Sequence, residues 1–178
     1  MTNRAAVLMV ALGTIVSAGG CDDQSPTTPA STPKPQLTAS SGTQSTLLGR
    51  ASFGDPGQEL LKIKRITGPW QVEVKAKPTF DLAVQRIVFQ PGGQSGWHTH
   101  PGPVFIQVVA GTMTFYESDD PECEPIVRNA GEGYLDLGEH AHIARNESDA
   151  VAENLVTYLV PPSAALRSDA DAPGNCPF

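Results

Sequence analysis

Turn signals interrupt this chain so often that a long helix has nowhere to run. Thr67-Gly68-Pro69, Pro91-Gly92-Gly93, Pro101-Gly102-Pro103, Ala110-Gly111, Gly131-Glu132-Gly133 and Pro161-Pro162 each break the pattern. Glycine reaches left-handed backbone at little cost, and proline fixes φ while removing a donor, so both end regular elements. The 17 Gly and 16 Pro among 178 residues argue against a helical bundle or a coiled coil. Strands are predicted in the short runs left between the turns: Glu59–Ile66, Gln71–Lys75, Leu82–Phe89, Val104–Val109, Thr112–Tyr116, Tyr134–Leu137, Ala141–Ala144 and Val151–Val160. Gln71-Val72-Glu73-Val74-Lys75 alternates polar and apolar side chains at every step, the period of a half-buried strand. Many short strands at this spacing predict an all-β sandwich or barrel.

The first 46 residues read differently. Arg4 precedes a mostly apolar stretch, Ala5–Ala18, and the small residues Ala18-Gly19-Gly20 lead directly to Cys21. The apolar stretch is short of the roughly 20 residues of a membrane span. A basic start, a short apolar run and small residues read as a secretory signal over residues 1–20. Small residues directly before a Cys resemble the bacterial lipobox. That implies lipidation of Cys21 and anchoring to the cell membrane outside the cytoplasm, although Ala18 stands where Leu is usual. The alternative is an ordinary cleaved signal and secretion. Residues 21–46 are Ser, Thr, Pro, Gln and Gly with few large apolar side chains. Such a segment buries too little surface to offset the entropy of ordering, so a disordered linker is expected there, with the folded domain at 47–178.

Of the three Cys, setting Cys21 aside leaves Cys123 and Cys176. An even pair in an exported protein most simply forms a disulfide. It would pin the tail Pro173-Gly174-Asn175-Cys176 to the acidic run Asp119–Glu124. A Cys pair holding a metal is the rival reading, and the large separation weighs against it. The formal net charge of −7 repels phosphate backbones, so nucleic acid is not an expected partner.

All four histidines fall in His-x-His pairs: His98-Thr99-His100 and His140-Ala141-His142. Residues two apart in a strand point to one face. Two such pairs facing one barrel interior can bring three or four imidazoles to a common point, and imidazole suits Zn, Cu, Ni and Fe. The plainer reading is His at strand ends, hydrogen-bonded to neighbours.

The stretch from Gly92 through Trp97-His98-Thr99-His100-Pro101-Gly102-Pro103-Val104 to Gly111 resembles the first motif of the cupin superfamily, with Gly92, His98, His100 and Gly111 in register. Gly131, His142 and Asn146 fall in register with the second motif, where Leu137 and Glu139 replace its Pro and Gly. The resemblance spans residues 92–146, with flanking strands on either side, and is nearest to exported single-domain cupins. It implies a double-stranded β-helix, a jelly-roll barrel, with His98, His100 and His142 as metal ligands inside it. The family's usual carboxylate ligand is missing, because Val104 occupies its position. Three arrangements follow: a three-His site with open positions, as in some thiol dioxygenases of the superfamily; a four-His site with His140 as replacement; or no metal. Nitrogen-only ligation favours Cu, Ni or Zn over Mn, and Fe is the further candidate. Neutral ligands leave the metal its full charge, so an anionic substrate would be attracted.

The remaining polar and aromatic residues carry weaker signals. Trp97 points away from His98 on a regular strand and reads as packing, as do Tyr116, Tyr134 and Tyr158, each with a hydroxyl able to support a ligand. Gln107 and Glu139 are polar in or near strands, and Glu139 alternates away from the histidines. Asn146-Glu147-Ser148 fits a glycosylation acceptor, but Asn146 reads better as a structural hydrogen-bonding group. The acidic run Asp119–Glu124 reads as a solvated loop rather than a calcium site. Two functions stay open: a metal-dependent enzyme, dioxygenase- or isomerase-like, on a small organic molecule; and an envelope lipoprotein that binds a small ligand or a metal without turnover. The family's habit of dimerising implies a homodimer, for which no interface is legible in the sequence.

Overall fold

The computed structural model describes residues 37–54, 61–77 and 79–178. The signal segment, Cys21 and the linker up to residue 36 lie outside the described residues. Twelve strands and no helix make up the described part. They are β1 (Ser41–Phe53), β2 (Leu61–Thr67), β3 (Trp70–Ala76), β4 (Phe80–Gln94), β5 (His98–Thr99), β6 (Val104–Ala110), β7 (Thr112–Glu117), β8 (Ile126–Asn129), β9 (Gly133–Asp136), β10 (His142–Arg145), β11 (Ala152–Val160) and β12 (Ser168–Asp169). Strands β2 and β3 form a separate antiparallel hairpin. The others form one antiparallel sheet in the order β12-β5-β10-β4-β11-β6-β9, with β1 added to β4, and β7 bridging β10 and β8. The sheet curls into a nearly closed barrel, as the turn-broken strand pattern predicts.

Alternation decides which side chains enter the barrel. In β11 every second residue from Ala152 to Val160 is buried, and β11 sits between β4 and β6. Its inward residues Val156, Tyr158 and Val160 pack with Phe89 from β4, Val104, Ile106 and Val108 from β6, and Met113 and Phe115 from β7. Close-packed apolar surface of this kind is the main favourable term holding the sheet closed. Gly111 alone separates β6 from β7, with φ +73°, and a Cβ there would meet Val151 O at 2.8 Å. Only glycine makes that turn without strain.

One boundary expected from the sequence is corrected. The sheet begins at Ser41, not at residue 47, and Leu37 already bridges to Asp171. Strand β1 is almost wholly exposed, so its Ser, Thr and Gln side chains show no alternation to read. Its backbone groups pair along β4 from Ser41↔Gln94 to Phe53↔Phe80. Backbone pairing needs no apolar side chain when a long partner strand presents an open edge. The added strand matters for the site, because Thr43 and Ser45 help to line the barrel cavity.

Candidate metal centre

Strands β5 and β10 build the site. They pair antiparallel with His98 directly opposite His142, so the two imidazoles share a face and their rings lie 4.5 Å apart between centroids. His100, two residues beyond His98, joins them at 4.8 Å from His98 and 5.2 Å from His142. One nitrogen from each of the three rings lies within 4.8 Å of the others. All three residues are buried, at 6%, 6% and 1% exposure.

The outer nitrogens are already committed. His98 Nδ1 is 2.8 Å from the carbonyl of Gly96, and His100 Nδ1 is 2.6 Å from the carbonyl of Leu166. A carbonyl can only accept, so each Nδ1 carries the proton and each Nε2 presents a lone pair. His142 Nδ1 lies 3.4 Å from the Tyr134 hydroxyl, whose own proton goes to Glu117 Oε1. His142 therefore also donates through Nδ1. Donors held this way fix ring orientation and tautomer, the support that metal-binding imidazoles require. Gly96, with φ +71°, holds the first of these carbonyls, and a Cβ there would lie 2.0 Å from Thr38 O.

This arrangement fits a cation. The Nε2 atoms of His98 and His142 face one another at 3.1 Å. Two lone pairs at that distance repel, whereas a cation about 2.0–2.1 Å from each nitrogen satisfies both. Burial lowers the pKa of all three rings. His98 falls to about 3, through desolvation first and then the positive charge of Arg167. Desolvation is also the leading cause for His100 and His142. The rings are thus neutral at physiological pH, the form that ligates.

The metal-free protein is expected to lose stability as pH falls. The unfolded chain takes up protons on its histidines below about pH 6.5, while the folded rings resist protonation down to lower pH. Stability present above about pH 6.5 then drains away by up to ~1.4 kcal/mol per pH unit for each ring. Urea unfolding of chelator-treated protein between about pH 7 and pH 5 measures this, and a flat profile would contradict the buried neutral triad.

His140 does not join the triad, which corrects the four-His arrangement. It precedes β10 in a non-strand turn, so the alternation that would align it with His142 does not operate. Its Nε2 lies 2.9 Å from Glu117 Oε2 and 3.3 Å from Asp119 Oδ1, on the outer side. Glu117 thereby links the surface to the triad through Tyr134 and His142. Burial raises the pKa of Glu117, against the lowering effects of the Tyr134 hydrogen bond and His140.

The other expectations fall as follows. Val104 is fully buried in the core and supplies no ligand atom. Trp97 is fully buried with Tyr116, Ile143 and Cys176. Asn146, 1% exposed, donates to the carbonyls of Phe89, Gln90 and Ala150. The Asp120 carboxylate accepts from the backbone N–H groups of Glu122 and Glu124, an acidic loop tied by its own backbone. Cys123 and Cys176 form the expected disulfide, with Cα atoms 5.3 Å apart.

A cavity of about 640 Å³ opens beside the triad. Its walls combine apolar Ile87, Phe89, Ile106 and Val156 with polar Gln85, Asn154, Tyr158 and Arg167. The Tyr158 hydroxyl donates to Gln85 Oε1 at 2.8 Å. Asn154 is 2% exposed and its Oδ1 has no hydrogen-bond partner among the described residues. Arg167 donates to Ser95 O at 2.9 Å and pairs with Asp169. Sequence reading passed over Asn154, although an amide in phase with Ala152, Val156 and Tyr158 is an inward polar group and therefore a signal.

Residues 85–158 match the family described as "Cupin domain". No curated protein sequence matches the chain. Among solved structures, the chain is similar to a cupin superfamily protein from Desulfitobacterium hafniense at 10% identity and TM-score 0.40, covering 61% of this chain and 84% of that one. It is similar to the cupin domain of an XRE-family transcriptional regulator from Enterobacter cloacae at 13% identity and TM-score 0.42, covering 68% and 99%. A polyketide cyclase from Streptomyces resistomycificus shares 13% identity at TM-score 0.48, covering 78% and 84%. The matched segment, residues 85–158, holds the whole triad inside an antiparallel barrel and is a cupin-type domain.

Proposed function

We propose that this protein is exported, held at the outer face of a membrane through Cys21, and uses His98, His100 and His142 to hold one divalent transition metal. Bound there, the metal serves a reaction on a small organic molecule in the adjacent cavity. One observation carries the reading: three buried imidazoles turn their Nε2 lone pairs toward one point while their Nδ1 atoms are anchored elsewhere. The export proposal draws support from the Cys123–Cys176 disulfide, since such bonds persist in oxidising compartments.

A metal in this place supplies Lewis acidity, polarising a substrate oxygen or acidifying bound water. The chain's own residues do the rest. The apolar wall of Ile87, Phe89, Ile106 and Val156 favours a compact carbon skeleton. Arg167 places a guanidinium at the cavity and draws an anionic group inward. Asn154 offers a buried carboxamide to a polar group of the ligand. These features support a small carboxylate or enolate as the ligand class, with a dioxygenase- or isomerase-like reaction as the finer reading.

The test is metal content. Chelator-treated protein titrated with Zn(II), Cu(II), Ni(II) and Fe(II) is expected to take up one ion per chain. Failure to bind any of the four would overturn the reading. Stoichiometric binding without conversion of any small carboxylate offered would instead favour a non-enzymatic metal or ligand carrier.

A further inference from the structure

Asp136 is the buried group that the triad leaves unexplained. It is 3% exposed. Its Oδ1 accepts the backbone N–H of Gly138 at 2.7 Å. Its Oδ2 is buried with no hydrogen-bond partner among the described residues. A buried carboxylate oxygen without a partner is costly, and the usual remedies are a cation or a donor. The nearest candidates belong to the metal centre: Oδ2 lies 3.7 Å from His100 Nε2 and 3.7 Å from His142 Nδ1. Neither distance is a hydrogen bond. The 3.7 Å from His100 Nε2 is a span that one cation covers when it sits about 2.0–2.2 Å from each atom, and because Asp136 lies outside the set of ligand atoms within 4.8 Å of one another, its side chain must turn toward His98 and His142 to complete the set.

The fold explains how the carboxylate arrives. Strand β9 alternates, with Tyr134 and Asp136 inward. It pairs with β6 so that Asp136 stands directly opposite Val104, and residues paired across antiparallel strands share a face. An oxygen ligand missing from β6 at Val104 is therefore available from the neighbouring strand at the same level of the barrel.

We propose that Asp136 is a ligand of the metal centre, its Oδ2 joining the nitrogens of His98, His100 and His142 in a mixed set of three nitrogens and one oxygen. The proposal rests on the triad as a metal site and changes what that site selects. An anionic oxygen ligand offsets one positive charge and admits Mn(II), which three neutral imidazoles alone disfavour. The competing role is that of an outer acceptor for the His142 Nδ1 proton, which would support all metals alike.

Competition between Mn(II) and Cu(II) separates these roles. Chelator-treated wild-type protein is expected to bind Mn(II) at one ion per chain, read by the loss of the free-ion electron paramagnetic resonance signal. Asp136→Asn is expected to weaken Mn(II) by more than about 100-fold, beyond the roughly 10–100-fold loss typical of an outer partner, while Cu(II) weakens by less than about 10-fold. Val104→Glu placed in the Asp136→Asn protein is expected to recover Mn(II) binding. Parallel weakening of both metals, or no change in either, would overturn the proposal. If Asp136→Asn does not fold, the wild type decides alone: Cu(II) binding without Mn(II) binding removes Asp136 from the ligand set and leaves the triad standing. Binding of neither ion also removes Asp136 from the ligand set, and the triad falls with it only if Zn(II), Ni(II) and Fe(II) fail to bind as well.

Discussion

His142→Ala is expected to lower transition-metal affinity by more than about 100-fold, because loss of even an outer partner of a ligand typically costs about 10–100-fold. His142 is the most buried of the three rings. It faces His98 across β5 and β10 at 3.1 Å between Nε2 atoms. Its removal leaves two imidazoles and opens the barrel wall where the third stood. His140→Ala is the matched control, two residues away on the outer side, and it is expected to weaken binding by less than about 10-fold through its contact with Glu117. Calorimetric titration of both variants with Zn(II) gives the two affinities. Equal losses would mean that the interior triad is not the binding site.

Reduction of the Cys123–Cys176 bond is expected to destabilise the domain by about 4 kcal/mol, the chain-entropy value for a loop of this size. The bond joins residues 53 apart in sequence. It holds the C-terminal tail over the cluster of Trp97, Tyr116 and Ile143. The tail has other attachments: Asn175 donates to Glu117 O at 3.0 Å, and the Phe178 ring packs against Tyr116 at 5.0 Å and under the Arg145 guanidinium at 3.9 Å. These keep the tail near its place after reduction, so the loss falls mainly on the unfolded chain. Urea unfolding with and without reductant, repeated on Cys123→Ser, measures the difference. A shift below about 1 kcal/mol would contradict this account, in which the bond acts by constraining the unfolded chain.

The predicted strands at Leu82–Phe89, Val104–Val109 and Val151–Val160 correspond to β4, β6 and β11, where one face is the more buried and burial writes a period of two into the sequence, whereas Thr112–Tyr116 corresponds to β7, buried on both faces and marked by its β-branched and aromatic residues instead. Strand β1 left no such mark. Both its faces are largely exposed, and its place depends on the open edge of β4. Strands β5 and β12, two residues each, are too short to carry a period and exist only as partners of β10 and of each other. The two His-x-His pairs looked equivalent as text. They separated because the first enters a strand at His98, whereas β10 starts only at His142 and leaves His140 in the turn before it.

The sequence by itself determined an all-β chain and a disulfide between the only two cysteines beyond residue 21, and it offered all four histidines as metal ligands with the three-His, four-His and metal-free arrangements open. The first two properties follow from local alternation, turn chemistry and pairing of rare residue types, and the ligand set from the resemblance to the cupin motifs. Tertiary structure alone decided that His140 faces Glu117 and Asp119, that β1 adds to the cavity wall, and that the Asp136 carboxylate lies opposite Val104 and 3.7 Å from His100. The reason is register: which residues meet across two strands depends on where each strand begins in the closed sheet, and no single segment contains that information.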